Sequence, residues 1–239
     1  MYRMLVDMTT TLITGANKGL GFETARRLVA AGHSVLLGSR DAERGRRAAE
    51  RIGARPIRID VTDDASVQAA AAAVGDLDVL VNNAGAQWEM TEDGIIGAPG
   101  LTADIMRDTF ETNVFGPVRV LHAFLPLLRR SAAPVVVNVS SGLASLTSVT
   151  TPGHPAHAYP GVAYPASKTA LNMVTVQYAK AFPEFRINAV EPGYTSTDLN
   201  GNQGHQSVEE GAEIIVRMAS IGRDGPTGGF FDANGTLPW

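Results

Sequence analysis

Short apolar runs alternate with helical stretches along almost the whole chain, and this alternation limits the fold more than any other feature. Residues 10–14, 33–38, 56–59, 77–81, 135–139 and 186–190 read as strands, with 229–232 as a last short one. Residues 20–31, 41–52, 63–74, 102–130, 163–181 and 208–220 read as helices. Gly32 supplies a stop for the first helix and Asp41 a start for the second. Gly116-Pro117 predicts a bend in the long helix over 102–130, because proline cannot donate to the helix ladder. Residues 86–100, 140–162 and 192–207 read as loops. The run at 135–139 is apolar on both faces, as a buried parallel strand must be. Strand-helix alternation with right-handed crossovers gives an α/β fold, a doubly wound parallel sheet of about seven strands covered by helices on both faces. No linker interrupts it, so residues 1–239 form a single three-layered domain, with 1–8 as an N-terminal extension.

Composition removes several function classes. The net charge of −4 exerts no pull toward nucleic acid or an anionic membrane, and the arginines over 40–58 are interspersed with acids as on a solvated helix face. There is no cysteine, which excludes disulfides, thiolate chemistry and cysteine-based zinc sites and fits a reducing, cytoplasmic setting. The first eight residues lack the apolar core of a signal peptide, and no run approaches the roughly 18 apolar residues needed to span a bilayer. His154 and His157 share a loop without an evident third ligand, so no metal site is expected.

In a parallel α/β sheet, ligands bind beyond the carboxyl ends of the strands, where the strand order reverses. The candidate residues all fall just after a strand or at a helix start. Thr14-Gly15-Ala16-Asn17-Lys18-Gly19-Leu20-Gly21 closes the first strand and opens the first helix. Its glycines allow a tight reversal and close backbone approach, and the helix amides that follow suit a pyrophosphate. The second strand ends in Gly38-Ser39-Arg40, without the carboxylate that grips both ribose hydroxyls in NAD-preferring sites. Arg40 can fork onto a 2′-phosphate with Lys18 as a second cation, which favours NADP(H); Asp41 is read as a helix cap. Asp60-Val61 follows the third strand, where Asp60 either accepts from an adenine amine or caps the next helix.

Asn82-Asn83-Ala84-Gly85 brings small residues to the end of the fourth strand, with the asparagine amides tying neighbouring strands. Ser140-Ser141-Gly142 follows the fifth, where a hydroxyl can meet a substrate oxygen. Asn113 is an unusual choice inside a helix; it is either a polar core residue or a group whose carbonyl holds a water near Lys168. Pro192-Gly193 follows the sixth strand, with Thr195 and Thr197 placed to meet a carboxamide. Tyr164 and Lys168 lie four residues apart at the start of a helix, so both project from one face. An ammonium beside a phenol favours the phenolate.

The ordered set of Thr14 to Gly21, Asn82 to Gly85, Asn113, Ser141, Tyr164, Lys168 and Pro192-Gly193 resembles the short-chain dehydrogenase/reductase family, from about Thr10 to the C-terminus. Gly15-Ala16-Asn17-Lys18-Gly19, Arg40, Asn113-Val114-Phe115-Gly116 and Pro192-Gly193-Tyr194 are similar to its carbonyl-reductase branch. The resemblance implies a Rossmann fold and a catalytic tetrad of Asn113, Ser141, Tyr164 and Lys168, with Ser141 rather than Ser140 as the catalytic serine. It implies NADP(H) bound along Gly15, Asn17, Lys18, Gly19, Leu20, Gly21, Ser39, Arg40, Asp60, Val61, Asn83, Ala84, Gly85, Tyr164, Lys168, Pro192, Gly193, Thr195 and Thr197, and reduction of a small-molecule ketone or aldehyde. The stretch between Ser141 and Tyr164 is longer than in most relatives and precedes the helix many of them use in tetramers, so a monomer or dimer is expected. The alternatives are a reductase of carrier-bound 3-oxoacyl or polyketide intermediates and a non-catalytic NADP(H)-binding regulator. The second has no need of the Tyr164–Lys168 pair.

Overall fold

The computed structural model describes residues 8–239; the expected extension over 1–8 therefore lies, but for Met8, outside the described residues. The main sheet contains β1 (Thr10–Ile13), β2 (Ser34–Ser39), β3 (Arg55–Arg58), β4 (Val79–Asn82), β7 (Val135–Val139), β8 (Arg186–Val190), β9 (Phe230–Asp232) and β10 (Gly235–Thr236). Their order is β10-β9-β8-β7-β4-β1-β2-β3, parallel except for β10, which runs antiparallel to β9. The chain moves outward from β1 through β2 to β3, then returns to build β4, β7, β8 and β9 on the other side. The reversal between β1 and β4 leaves a crevice at their carboxyl ends.

Side-chain alternation explains why both faces are covered. Ile13, Leu37, Val81, Val135 and Val137 point to one face and pack with Ala25 and Leu28 of α1 (Gly19–Ala30), Ala48 of α2 (Ala42–Ile52) and Ile214 of α8 (Val208–Ala219). Leu12, Leu36, Leu80 and Val136 point to the other and meet Val67 of α3 (Asp64–Ala72) and Phe124 of α5 (Gly116–Leu128). α7 (Ala163–Ala181) closes that second face. Asp41 caps α2 by accepting from the Arg44 amide at 2.9 Å. Asp63, not Asp60, caps α3, accepting from Ala65 at 2.9 Å.

Three stretches differ from the sequence expectation. The sheet has eight strands rather than about seven, because a turn at Ala233-Asn234 folds Gly235–Thr236 back onto β9. The expected loop over 86–100 contains a hairpin, β5 (Met90–Thr91) and β6 (Gly94–Ile95), turned at Glu92-Asp93. The expected loop over 140–162 carries a short helix, α6 (Leu146–Thr150), started by the Ser145 hydroxyl, which accepts from the Ser148 amide. The long helix over 102–130 does change register near Gly116-Pro117, but through a π turn over Glu111–Phe115 between α4 (Ala103–Phe110) and α5. Pro117 has no N–H to offer the Asn113 carbonyl four residues back, and the Gly116 amide reaches Glu111 five residues back. Among the described residues no helix is long and apolar enough to cross a membrane.

Phe124 and Phe115 lie on the same helical run with opposite burial, fully buried and 49% exposed. Phe124→Ala is expected to cost about 3–5 kcal/mol by chemical denaturation. Phe115→Ala should stay within about 1 kcal/mol. Equal losses would contradict this account of the core.

Candidate active site

The four residues of the expected tetrad converge from three places in the fold: the π turn, the segment after β7 and α7. Asn113 is fully buried in the π turn. Its Oδ1 accepts from the Ala86 amide at 2.8 Å, and its Nδ2 donates to the Ala86 carbonyl at 2.8 Å and the Ser167 hydroxyl at 3.0 Å. The side chain thus clamps the segment after β4 to α7, and only the main chain of Asn113 remains for other chemistry. A Cβ placed on Gly85 would lie 3.6 Å from Asn113 Oδ1 and 3.8 Å from Lys168 Nζ, so these groups meet at the end of β4.

Lys168 is 3% exposed, and its ammonium donates to the Val139 carbonyl at the end of β7, at 2.8 Å. Nζ also stands 5.6 Å from the centre of the Tyr164 ring, so the four-residue spacing does place both side chains together. Burial lowers Lys168 to about 8, opposed by the carboxylate of Glu191.

The expected acidification of Tyr164 is not found. Burial foremost, then the charge of Glu191, pushes the phenol well above its ordinary value, while a hydrogen bond with Ser141 works the other way. Glu89 adds to the upward push. The ammonium sits over the ring and spends its hydrogen bond on Val139, and desolvation of the phenolate outweighs it.

The two serines after β7 separate cleanly. The Ser140 hydroxyl is buried and donates to Asn172 Oδ1 at 2.7 Å. Ser141 is partly exposed and lightly held, accepting from the Leu143 amide at 3.3 Å. Ser141 is therefore the one that can face a ligand.

The nucleotide residues line the crevice between β1 and β4. Gly15 and Gly19 adopt left-handed backbone angles of +63° and +55°. A Cβ on Gly21 would meet Asn83 Nδ2 at 2.4 Å, so only glycine lets α1 start this close to β4. Asn83 donates to the Thr14 and Gly15 carbonyls, and Thr14 Oγ1 accepts from the amides of Asn83 and Ala84. Asn82 donates to Asn138 Oδ1, tying β4 to β7 as expected. No side chain caps α1 at Lys18, so its leading amides keep their affinity for an anion. These features fit a dinucleotide.

Other candidates are placed less directly. Arg40 is exposed at the end of β2, whereas the Ser39 hydroxyl is buried and donates to the Asp41 carbonyl at 2.8 Å. Lys18 pairs with Asp198 across the crevice at 2.5 Å. Asp60 Oδ1 accepts from the Thr62 amide and hydroxyl, closing a turn ahead of α3, which removes the helix-cap alternative. The Val61 carbonyl accepts from Arg119 at 2.6 Å. The Thr195 hydroxyl donates to the Pro192 and Gly193 carbonyls and is buried, so it braces the loop instead of presenting itself. A methyl of Thr197 would come 3.7 Å from a Cβ on Gly19, which sets this loop over the glycine turn. His154 and His157 serve local backbone contacts, with the Ala156 amide and the Val149 carbonyl.

Two carboxyls of the site escaped the sequence reading. Glu191 follows β8; its Oε1 accepts from the Gly193 amide at 3.0 Å and its buried Oε2 lies against Gly142. An acid between a buried strand and Pro192-Gly193 was a readable signal. Glu89 is fully buried beneath the start of α7. It gave no signal, since an acid in a polar loop is unremarkable.

With that geometry established, known proteins supply a frame. The short chain dehydrogenase family profile matches residues 9–208. (+)-Neomenthol dehydrogenase of Arabidopsis thaliana is 36% identical over 279 residues, covering 92% of this chain and 94% of its own. The structure of salutaridine reductase from Papaver somniferum superposes with a TM-score of 0.81 at 28% identity, over 93% of this chain and 99% of its own. NADPH-bound carbonyl reductase from chicken fatty liver superposes with a TM-score of 0.81 at 26% identity, over 97% and 99%. The fold agrees with these matches, and the chain belongs to the short-chain dehydrogenase family of oxidoreductases.

Proposed function

We propose that this protein reduces the carbonyl of a ketone or aldehyde to an alcohol with NADPH, using Asn113, Ser141, Tyr164 and Lys168. The convergence of Lys168, Tyr164 and Asn113 at the end of β4 carries this reading. When bound, the cofactor supplies a hydride to the carbonyl carbon. Tyr164 donates the proton to the carbonyl oxygen, and its raised proton affinity keeps it in the donor form across the physiological range. The Ser141 hydroxyl, half-buried and lightly held, orients the same oxygen and stabilises charge building there. Lys168 is fixed by Val139 and by its helix, so it can hold a ribose hydroxyl and pass on a proton. The Asn113 main chain, denied an N–H from Pro117, suits a water on that proton path.

Preference for the phosphorylated cofactor is supported at β2. Asp41 is committed to capping α2, which leaves exposed Arg40 as the charge facing the adenosine ribose. A cleft of about 570 Å³ between the β5–β6 hairpin and residues 198–203 offers room for a substrate. Its walls mix Met90, Ile95 and Leu199 with acidic Glu92 and Asp198. The acids disfavour an acidic acyl carrier, the basis of the alternative reading.

Glu191 imposes a pH dependence on stability. Burial raises its carboxyl to about 7 from an ordinary 4.5; the Gly193 amide opposes this, Asp232 adds to it and Lys168 opposes it. A carboxyl that holds its proton more tightly when folded stabilises the fold at low pH and gives that up as pH rises through its folded value.

Three outcomes test these statements. Tyr164→Phe should lower kcat by about 10²–10⁴-fold while NADPH binds as before, read by turnover and by cofactor fluorescence; full activity would remove Tyr164 from its role. Arg40→Asp should cut kcat/KM for NADPH about 10–100-fold and favour NADH, the value of a charged hydrogen-bonded contact; a wild type that already prefers NADH would overturn the assignment. Between about pH 5 and about pH 8, wild-type stability should fall relative to Glu191→Gln by on the order of 3 kcal/mol or less. A constant difference in denaturation midpoint across that range would show that Glu191 does not titrate there.

A further inference from the structure

Glu89 is a fully buried carboxylate without a cationic partner among the described residues. Such a group persists only if donors surround it. Four do. Oε2 accepts from the amides of Val162 at 3.0 Å and Ala163 at 2.6 Å. Oε1 accepts from the amide of Tyr164 at 3.2 Å and from the Tyr159 hydroxyl at 3.0 Å. Two of these are the leading amides of α7 and a third belongs to its N-cap, Val162, which has no capping side chain of its own. The charge also stands where the helix dipole favours an anion.

The surroundings are built to admit this carboxylate. A Cβ on Gly161 would lie 2.3 Å from Glu89 Oε1, so any other residue there would expel it. Gln87 donates to the Tyr159 hydroxyl at 2.5 Å and orients it toward Glu89. The Glu89 carbonyl accepts from Ile96 at 2.8 Å, next to the β5–β6 hairpin that walls the cleft. Gly97 and Gly161 form a backbone bridge beside it. One side chain therefore joins the cleft wall to the first turn of the helix that bears Tyr164.

We propose that Glu89 is a positioning residue for catalysis: its carboxylate caps α7 from outside the helix, fixes the turn that carries Tyr164 and couples that turn to the hairpin beside the substrate cleft. The inference rests on the reductase reading for its catalytic consequence only. Tyr164 is faced by Glu89 from the loop after β4, by Glu191 just after β8, by Ser141 after β7 and by Lys168 on its own helix. Tyr159 faces Glu89 itself. Among these, Glu89 and Glu191 are the negative charges that raise the proton affinity of the phenol. Neutralising Glu89 lowers that affinity, so the high-pH loss of a proton donor moves to lower pH.

Glu89→Gln and Glu89→Asp separate positioning from packing. Glu89→Gln keeps the volume but turns an amide NH₂ toward backbone N–H groups. Its kcat should fall about tenfold or more with NADPH binding unchanged within about twofold, and the high-pH limb of kcat should shift to lower pH. Amide hydrogen exchange at Ala163 and Tyr164 should accelerate. Glu89→Asp keeps the charge and should return the limb toward the wild-type pH, even with kcat only partly restored. A Glu89→Gln protein that loses only thermal stability, with limb and exchange as in the wild type, would overturn the proposal. If the wild type reduced no carbonyl at all, the reductase reading would fall on that result alone. The exchange rates at Ala163 and Tyr164 would then decide the cap, acceleration supporting it and no change overturning it.

Discussion

A buried ammonium controls this architecture. Lys168 can stay charged at 3% exposure only because β7 ends where the Val139 carbonyl meets it and Glu191 lies within electrostatic reach. Those demands fix the distance between α7 and β7, and with it the place of Tyr164 one turn earlier on the same helix. The clamp from Asn113 to Ala86 and Ser167 fixes the third side of the same junction. Loss of any of these contacts would leave a desolvated charge or amide without a partner, at a cost of roughly 1–3 kcal/mol or more per group.

Much of the polar equipment of the site is spent on holding itself together. Ser140, Thr195, Ser39 and Asn83 all bond inward, to Asn172, the Pro192 turn, Asp41 and the glycine turn. What this leaves open is a short set: the Ser141 hydroxyl, the Tyr164 phenol, the leading amides of α1 and exposed Arg40. The chemistry of the site is defined by subtraction, and the remainder is the set on which the proposed carbonyl reduction draws. The electrostatics point the same way. Burial foremost, with the charges of Glu191 and Glu89 adding to it, favours the protonated phenol of Tyr164, which suits a donor more than a base.

Wherever burial dictates pattern, the sequence was legible. β7, β8 and α7 lie where continuous apolar runs and helical periodicity place them, because strands covered on both faces leave little freedom in residue choice. The site residues that follow strand ends were legible for the same reason, through topology. Features set by long-range contacts were not. The β5–β6 hairpin turns at Glu92-Asp93, a pair without a strong local turn signal, and β10 depends on pairing with a strand whose own signal is weak. The π turn follows from Pro117, yet its consequence for Asn113 needs the register to be seen. Glu89 is the extreme case. Its meaning comes from the amides of Val162, Ala163 and Tyr164 and the hydroxyl of Tyr159, far along the chain, and no local rule names such a partner.

The central claim is that hydride delivery to a carbonyl and proton donation by Tyr164 belong to one reductive event. Combined isotope effects test it most directly: turnover of a ketone by the wild-type protein with NADPH and its 4-deuterated form, in H₂O and in D₂O. The account predicts slowing from each substitution, both effects acting on the same step. A hydride isotope effect without any solvent effect, under conditions where chemistry limits the rate, would contradict it.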